Sequence, residues 1–265
     1  MKTISIGIST RNRPELLEIA LKHFHRYMPF NYSVRMMVYD DFSDNEYFDR
    51  YFELAYKYPY ISFYFSTPRV GIAKAKNECI RSLRRCSNYI FLFDDDVFPV
   101  KYGWADLYID TAEKNGIHHM MHLEQRGILQ KIGEKNGIEE YNNCAGCMLF
   151  ITKEVVDKVG GFNKNFGIYG YEHVLYTDRI HRSGLNNGFG KYITPCFSGD
   201  FIYSVDLKLA PHSGLGIKDT TTIQPPLCNI PSSLLGSSMS DEEKNIYVSE
   251  NIRHYNLNCD IYEEI

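Results

Sequence analysis

The sequence predicts an α/β fold built on a mostly parallel sheet. Three observations carry that expectation. Apolar strands alternate with amphipathic helices through the first half of the chain, the strands are rich in continuous apolar runs, and they end in clusters of polar residues. In open sheets of this kind, ligands bind beyond the carboxyl ends of the strands.

The first strand, ISIGIST at 4–10, ends in polar residues. Pro14 then opens a helix whose Leu16, Leu17, Ala20, Leu21 and Phe24 recur at helical spacing. VRMMVYD at 34–40 is a second strand, and residues 45–58 form an aromatic-rich helix. ISFYFS at 61–66 is the third strand, followed by a helix over 72–85. YIFLF at 89–93 is a fourth, wholly apolar strand that runs directly into three aspartates. The second half is less regular. CAGCMLFIT at 144–152 reads as a buried strand, a short helix after it stops at Gly160-Gly161, and a helix over 171–183 stops at Gly184. Beyond about 195 the pattern loosens into short strands and a Pro/Ser/Gly-rich stretch at 224–238, after which Asp241-Glu242-Glu243 begins a last short helix.

Composition sets limits on function. The 265 residues suit one large domain or two small ones, and 44% hydrophobic with 23% charged residues is ordinary for a soluble protein. Lys+Arg 29 against Asp+Glu 33 gives −4, which argues against binding nucleic acid by bulk charge. No run approaches the roughly 18 apolar residues of a membrane span, and Arg11 and Arg13 interrupt the N-terminal apolar stretch, so neither a transmembrane anchor nor a signal peptide is expected. A soluble, cytoplasmic protein is the expectation. The seven cysteines are odd in number and scattered, unlike a disulfide framework. Cys144 and Cys147 have the spacing of a zinc or redox pair, but without a second close pair they are expected to be buried free thiols.

Asp94-Asp95-Asp96 is the strongest chemical signal. Three adjacent carboxylates repel one another and raise each other's pKa, a cost that a divalent cation relieves. Hard oxygen ligands suit Mg²⁺ or Mn²⁺, which complete their shells with substrate phosphates. Ser9-Thr10-Arg11-Asn12-Arg13 offers hydroxyls, amides and cations at the same sheet edge. Asp40-Asp41, with Ser43 and Asp44, can accept from a base N–H, and Arg69 before Gly71 can reach a phosphate. His118-His119 with His122 has the look of a metal cluster, yet neighbours on a strand point to opposite faces. Glu134, Glu139 and Glu140 read as a solvated loop, and Arg81, Arg84 and Arg85 as a solvated helix face.

In order, these segments resemble the nucleotide-sugar-dependent glycosyltransferases of the GT-A fold, family 2 in particular, over roughly residues 3–215. ISIGISTRNRPELLEIAL looks like the opening strand and helix, and VYDDFSDN like V-D-D-G-S-x-D. RVGIAKAKNECI is similar to N-x-G-x-x-x-A-R-N-x-G, and YIFLFDDDVFP carries D-x-D as Asp94 and Asp96. VGGFNKNFGIYGYEH, running on to TDRIHRSG, resembles the G-G-F…E-D…R-x-x-x-x-G block of the acceptor side. The resemblance implies a GT-A domain over 1–215, with a Rossmann-like nucleotide-binding half at 1–96 and an acceptor-side half at 97–215. Residues 216–265 are then a C-terminal extension packed on the same domain.

By resemblance, Thr10, Arg11 and Asn12 line the nucleotide pocket, Asp41 reads a uracil-type base edge, and Arg69 holds base or phosphate. Asp94 and Asp95 contribute to the nucleotide-sugar site. Asp94 and Asp96 hold a cation, with His212 as a third ligand that would favour Mn²⁺ over Mg²⁺. The implied activity is a metal-dependent, inverting transfer from a nucleoside-diphosphate sugar, UDP-linked by expectation, to a hydroxyl of a glycan, glycoconjugate or other acceptor. The departure from the pattern is Glu172-His173 where Glu-Asp is usual. Either can be the base: near a helix N-terminus the dipole favours carboxylate and neutral imidazole, so both would accept a proton. A non-catalytic sugar- or nucleotide-binding module, a transferase acting on modified nucleic-acid bases, and a nucleotidyltransferase remain as alternatives. The last would carry a Gly-rich N-terminal signature, which ISIGISTRNRP lacks.

Overall fold

A computed structural model of the chain describes residues 1–123, 129–205 and 240–256. Its centre is a six-stranded sheet. The first four strands, β1 (Thr3–Thr10), β2 (Ser33–Asp40), β3 (Ile61–Phe65) and β4 (Tyr89–Asp94), alternate with α1 (Pro14–Arg26), α2 (Phe48–Lys57) and α3 (Ile72–Leu83). A short β5 (Val97–Pro99) leads to α4 (Trp104–Asn115), then β6 (His119–Met121), β7 (Lys131–Lys135), β8 (Ile138–Tyr141) and β9 (Met148–Thr152). The remaining elements are α5 (Lys153–Val159), α6 (Glu172–Arg182), β10 (Ile193–Pro195), α7 (Ser198–Phe201), β11 (Ile202–Ser204) and α8 (Asp241–Asn256).

The sheet order is β3-β2-β1-β4-β9-β6. The four strands β3, β2, β1 and β4 run parallel, and β9 and β6 add antiparallel pairs. The chain moves outward from β1 through β2 to β3, then returns to place β4 on the other side of β1. That reversal opens a crevice at the carboxyl ends of β1 and β4. Register brings the polar ends level, with Thr10 opposite Asp40 and Ser9 opposite Asp94.

Two cores explain the helix placement. On one face Leu17, Leu21, Phe24, Trp104 and Tyr108 cover Ile4, Ile6, Ile8, Phe91 and Phe93. On the other, Ala73, Cys79, Ile80, Val155, Tyr176 and Ile180 cover Met37, Tyr39, Ile90, Leu92 and Ile151. With both faces buried, the strands must be apolar on both sides, which is the pattern in the sequence. Helix α3 lies close on β1 at Gly7, where an added Cβ would stand 2.7 Å from that of Cys79. That close approach carries the polar residues of α3 into the crevice.

The second half corrects the sequence reading in places. Residues 144–147 form a loop, turning at Gly146 and Cys147, that precedes β9 rather than part of the strand. Glu134, Glu139 and Glu140 lie on the hairpin β7–β8, turned by Asn136 and Gly137 at φ 56° and 78°. Asn-Gly with both residues left-handed is a strong hairpin signal, so this element was legible. The last helix is longer than its acidic start suggested, running 16 residues. It opens with Ser240 and Glu243 bonding reciprocally through side chain and backbone, as a capping box does.

Candidate active site

A cavity of about 370 Å³ lies at the crevice. Among the residues lining it are Thr10, Arg11, Asp41, Arg69, Asp94, Asp95, Asp96, Glu172 and His173, all expected from the sequence. Its wall also includes Ser9, Arg13, the turn Cys144–Cys147, Tyr169, Gly170, Ser204 and Lys244.

The three aspartates have separate tasks. Asp95 turns toward β1, accepting from the Thr10 hydroxyl at 2.7 Å and pairing with the Arg13 guanidinium at 3.2 Å. Burial, aided by Asp96, lifts its carboxyl to about 7 against the pull of Arg13. Asp94 accepts from Ser9 Oγ at 3.3 Å and lies 3.1 Å from Lys76 Nζ, both on Oδ1. Burial raises Asp94 to about 6 against the attraction of Lys76. Asp96 is buried, with Arg13 4.0 Å from Oδ2 and its carbonyl accepting the Val205 N–H at 2.9 Å. Two hard carboxylates on one cavity wall, with Asp94 engaged through Oδ1 among the described residues, form a donor set that fits Mg²⁺ or Mn²⁺. His212 lies outside the described residues.

At the neighbouring strand ends, loops are tied by side chains. Asp41 accepts the Val70 N–H at 2.6 Å and the Gly71 N–H at 3.0 Å, and Arg69 Nε lies 3.9 Å from the same carboxylate. Gly71 has φ 87°, and a Cβ there would meet Gly167 O and the Ile168 Cα at 2.8 Å, so the turn into α3 admits no side chain. Asn12, expected to line the pocket, instead ties two loops. Its Nδ2 donates to Asp44 Oδ2 at 2.7 Å, and its Oδ1 accepts the Asp44 N–H at 2.8 Å. Arg11 donates to Asp44 at 3.2 Å while remaining on the cavity wall.

Across the cavity, Gly170 and Tyr171, at φ 85° and 69°, turn the chain so that α6 begins at Glu172. Glu172 is buried, and His173 Nδ1 lies 3.2 Å from its Oε1. Burial opposes both charges, but the pair's mutual attraction outweighs it. Glu172 is held well below the usual carboxylate range, and His173 well above the usual imidazole range. This corrects the sequence expectation of a neutral imidazole. The adjacent carboxylate outweighs the helix dipole, so the pairing favours the imidazolium of His173 and the carboxylate of Glu172.

Lys76 is the residue that sequence reasoning missed. It is 2% exposed on α3, donates to Gly146 O at 2.8 Å, and lies 3.1 Å from Asp94 and 3.9 Å from Glu172. Burial works against its charge, yet the two carboxylates keep it protonated and raise its pKa. The signal was present: Lys76 occupies the Arg position of the A-R-N motif in RVGIAKAKNECI. Next to it, Asn77 pairs with the backbone of Phe162, accepting at 2.7 Å and donating at 3.1 Å, which fixes the Gly-Gly-Phe segment to α3.

Other sequence candidates lie elsewhere. His119 bonds Phe150 O and Thr177 Oγ1, His122 bonds Ser198 Oγ, and His118 bonds Thr152 Oγ1, so the three face different partners. Among the described residues, Glu134, Glu139 and Cys196 could converge on a metal, but Lys131 already pairs with both glutamates. Neither Cys144 nor Cys147 is part of a disulfide.

Comparison with known proteins agrees with this architecture. A family model described as the N-terminal domain of galactosyltransferase matches residues 129–197. A protein of Acanthamoeba polyphaga mimivirus named as an uncharacterized glycosyltransferase is 32% identical over 126 residues, covering 43% of this chain and 47% of that one. The chain thus spans about half the length of the curated relative it matches. GalNAc-T7, solved with UDP, GalNAc and Mn²⁺, superposes with a TM-score of 0.59 at 13% identity over 70% of this chain and 42% of its own. The Pyrobaculum calidifontis mannosyltransferase PcManGT, solved with GDP-Man and Mn²⁺, gives 0.57 at 15% identity over 74% of this chain and 55% of its own. Among the described residues, no helix is long and apolar enough to cross a membrane. The chain shares the GT-A fold of these solved glycosyltransferases, and in sequence it is similar over part of its length to a galactosyltransferase family model and to a viral glycosyltransferase.

Proposed function

We propose that this chain is a metal-dependent, inverting glycosyltransferase that moves a sugar from a nucleoside-diphosphate sugar, UDP-linked in our reading, to an acceptor hydroxyl. The acceptor is a glycan, a glycoconjugate or another hydroxyl-bearing molecule. One observation carries the proposal: Asp94 and Asp96 share a cavity with Glu172, and Lys76 stands between the two sides. Two similar structures hold Mn²⁺ with a nucleotide or nucleotide sugar, which supports the choice of donor class.

Asp94 and Asp96 would hold Mn²⁺ or Mg²⁺, which when bound acts as a Lewis acid toward the leaving diphosphate. Thr10, Arg11 and Asp41 bind the nucleoside, and Arg69 faces the phosphates. Asp95 positions Arg13 and Thr10 rather than meeting the donor itself. Glu172 accepts the acceptor proton as the bond from the hydroxyl oxygen to the anomeric carbon forms and the bond from that carbon to the diphosphate oxygen breaks. The hydroxyl becomes strongly acidic only as its oxygen bonds to carbon, so a carboxylate of low pKa suffices. His173 and Lys76 hold Glu172 ionised and fixed in direction. A single base opposite the leaving group inverts the anomeric centre.

The reading is tested by electron paramagnetic resonance of Mn²⁺. The six-line signal of free Mn²⁺ is expected to fall when protein and UDP or GDP are added together, and to remain with Asp96→Ala. A wild-type protein that leaves the signal unchanged with either nucleotide contradicts the reading.

A further inference from the structure

Helix α8 sends one stripe of residues toward the cavity. Lys244, Tyr247, Val248 and Asn251 fall at i, i+3, i+4 and i+7, so they share a face. Asn251 is 1% exposed and clamps the loop that leads into α6. Its Oδ1 accepts the Gly167 N–H at 3.0 Å, and its Nδ2 donates to Tyr169 O at 2.8 Å and Gly170 O at 2.7 Å. Val248 packs so tightly on Gly170 that a Cβ there would stand 2.7 Å from its methyl carbon. The helix is therefore fixed to the backbone two residues before Glu172, and one turn toward its N-terminus the same stripe places Lys244 on the cavity wall.

The position of that lysine is informative. Asp241, Glu242 and Glu243 suit the positive end of the helix dipole, whereas a cation in the first turn opposes it. The cations that the other elements bring to the site lie beside carboxylates: Arg11 by Asp44, Arg13 by Asp95, Lys76 by Asp94 and His173 by Glu172, with Arg69 at the longer distance of 3.9 Å from Asp41. A nucleoside diphosphate brings more negative charge than one divalent ion neutralises, so its phosphates need further cations from the wall.

Resting on the donor class proposed above, we infer that Lys244 is a diphosphate-binding residue, delivered to the donor pocket by α8 and held there by the Asn251 clamp. The last helix thereby adds a cation to a site whose arginines and Lys76 come from the first half of the chain. An ammonium at this place recognises phosphate charge and not the base or the sugar.

The test compares UDP with uridine, in the presence of Mn²⁺, by nuclear magnetic resonance titration of wild type, Lys244→Met and Lys244→Arg. Lys244→Met is expected to bind UDP about tenfold more weakly, the scale of one charge-assisted hydrogen bond, with uridine affinity unchanged and Lys244→Arg recovering most of the loss. Equal UDP affinity in wild type and Lys244→Met overturns the inference. So does a parallel loss for UDP and uridine, which would mark a structural role for the helix. If the wild type binds neither UDP nor GDP, the donor reading itself fails, and the two failures are distinguishable.

Discussion

Glu172→Gln is expected to slow sugar transfer by about 10²–10⁴-fold, the usual contribution of a positioned general base. Affinity for the nucleoside diphosphate is expected to stay close to that of the wild type, because Glu172 is proposed to contact neither the nucleoside nor the phosphates nor the cation. The amide keeps the size of the carboxyl and can still meet Lys76 or His173, so the fold survives, but it cannot accept a proton. His173→Gln makes the complementary point. It removes the partner that holds Glu172 ionised yet leaves a carboxylate in place, so it should cost less activity than Glu172→Gln. Initial rates and nucleotide titrations on the two variants check both statements. A larger loss in His173→Gln would reassign the base to the imidazole.

Lys76→Met is expected to destabilise the protein by about 3–5 kcal/mol, the cost of removing one partner from a buried ionic cluster. Methionine matches much of the volume of lysine but leaves Asp94 and Glu172 facing each other without a cation, and Gly146 O without its donor. Lys76→Arg should lose far less, because it keeps the charge and the donors on a similar stem. For a chain of this size the methionine variant should melt about 10 °C lower, by calorimetry at neutral pH. A melting temperature equal to that of the wild type would mean that the carboxylates relax apart and that Lys76 does not hold the two sides of the cavity together.

Much of this was legible in the sequence because the relevant physics is local. Apolar strands, helical spacing and Gly or Pro stops located the first four strands and three helices, and polar strand ends marked the crevice before any contact was known. Register then does the rest: Ser9 and Asp94 sit opposite each other because parallel pairing fixes it. What escaped was set by long-range packing. Lys76 reads as one more helix cation until α3 settles on Gly7 and turns it inward. The protonation of His173 depends on a contact with Glu172 that a helix-end argument ignores. Asn12 looks like a pocket residue, yet its partner Asp44 is 32 positions away. The face of α8 is weakly amphipathic, and its meaning comes only from the loop it clamps.

The measurement that tests the central claim most directly is donor turnover followed by proton nuclear magnetic resonance. The protein is incubated with a panel of UDP- and GDP-linked sugars, with Mn²⁺ or with a chelator. One donor is expected to be consumed with Mn²⁺ and spared with chelator, and the first-formed sugar product should carry the anomeric configuration opposite to that of the donor. A first-formed product that retains the configuration of the donor, or a donor consumed equally with chelator, would contradict a metal-assisted displacement with Glu172 as its base.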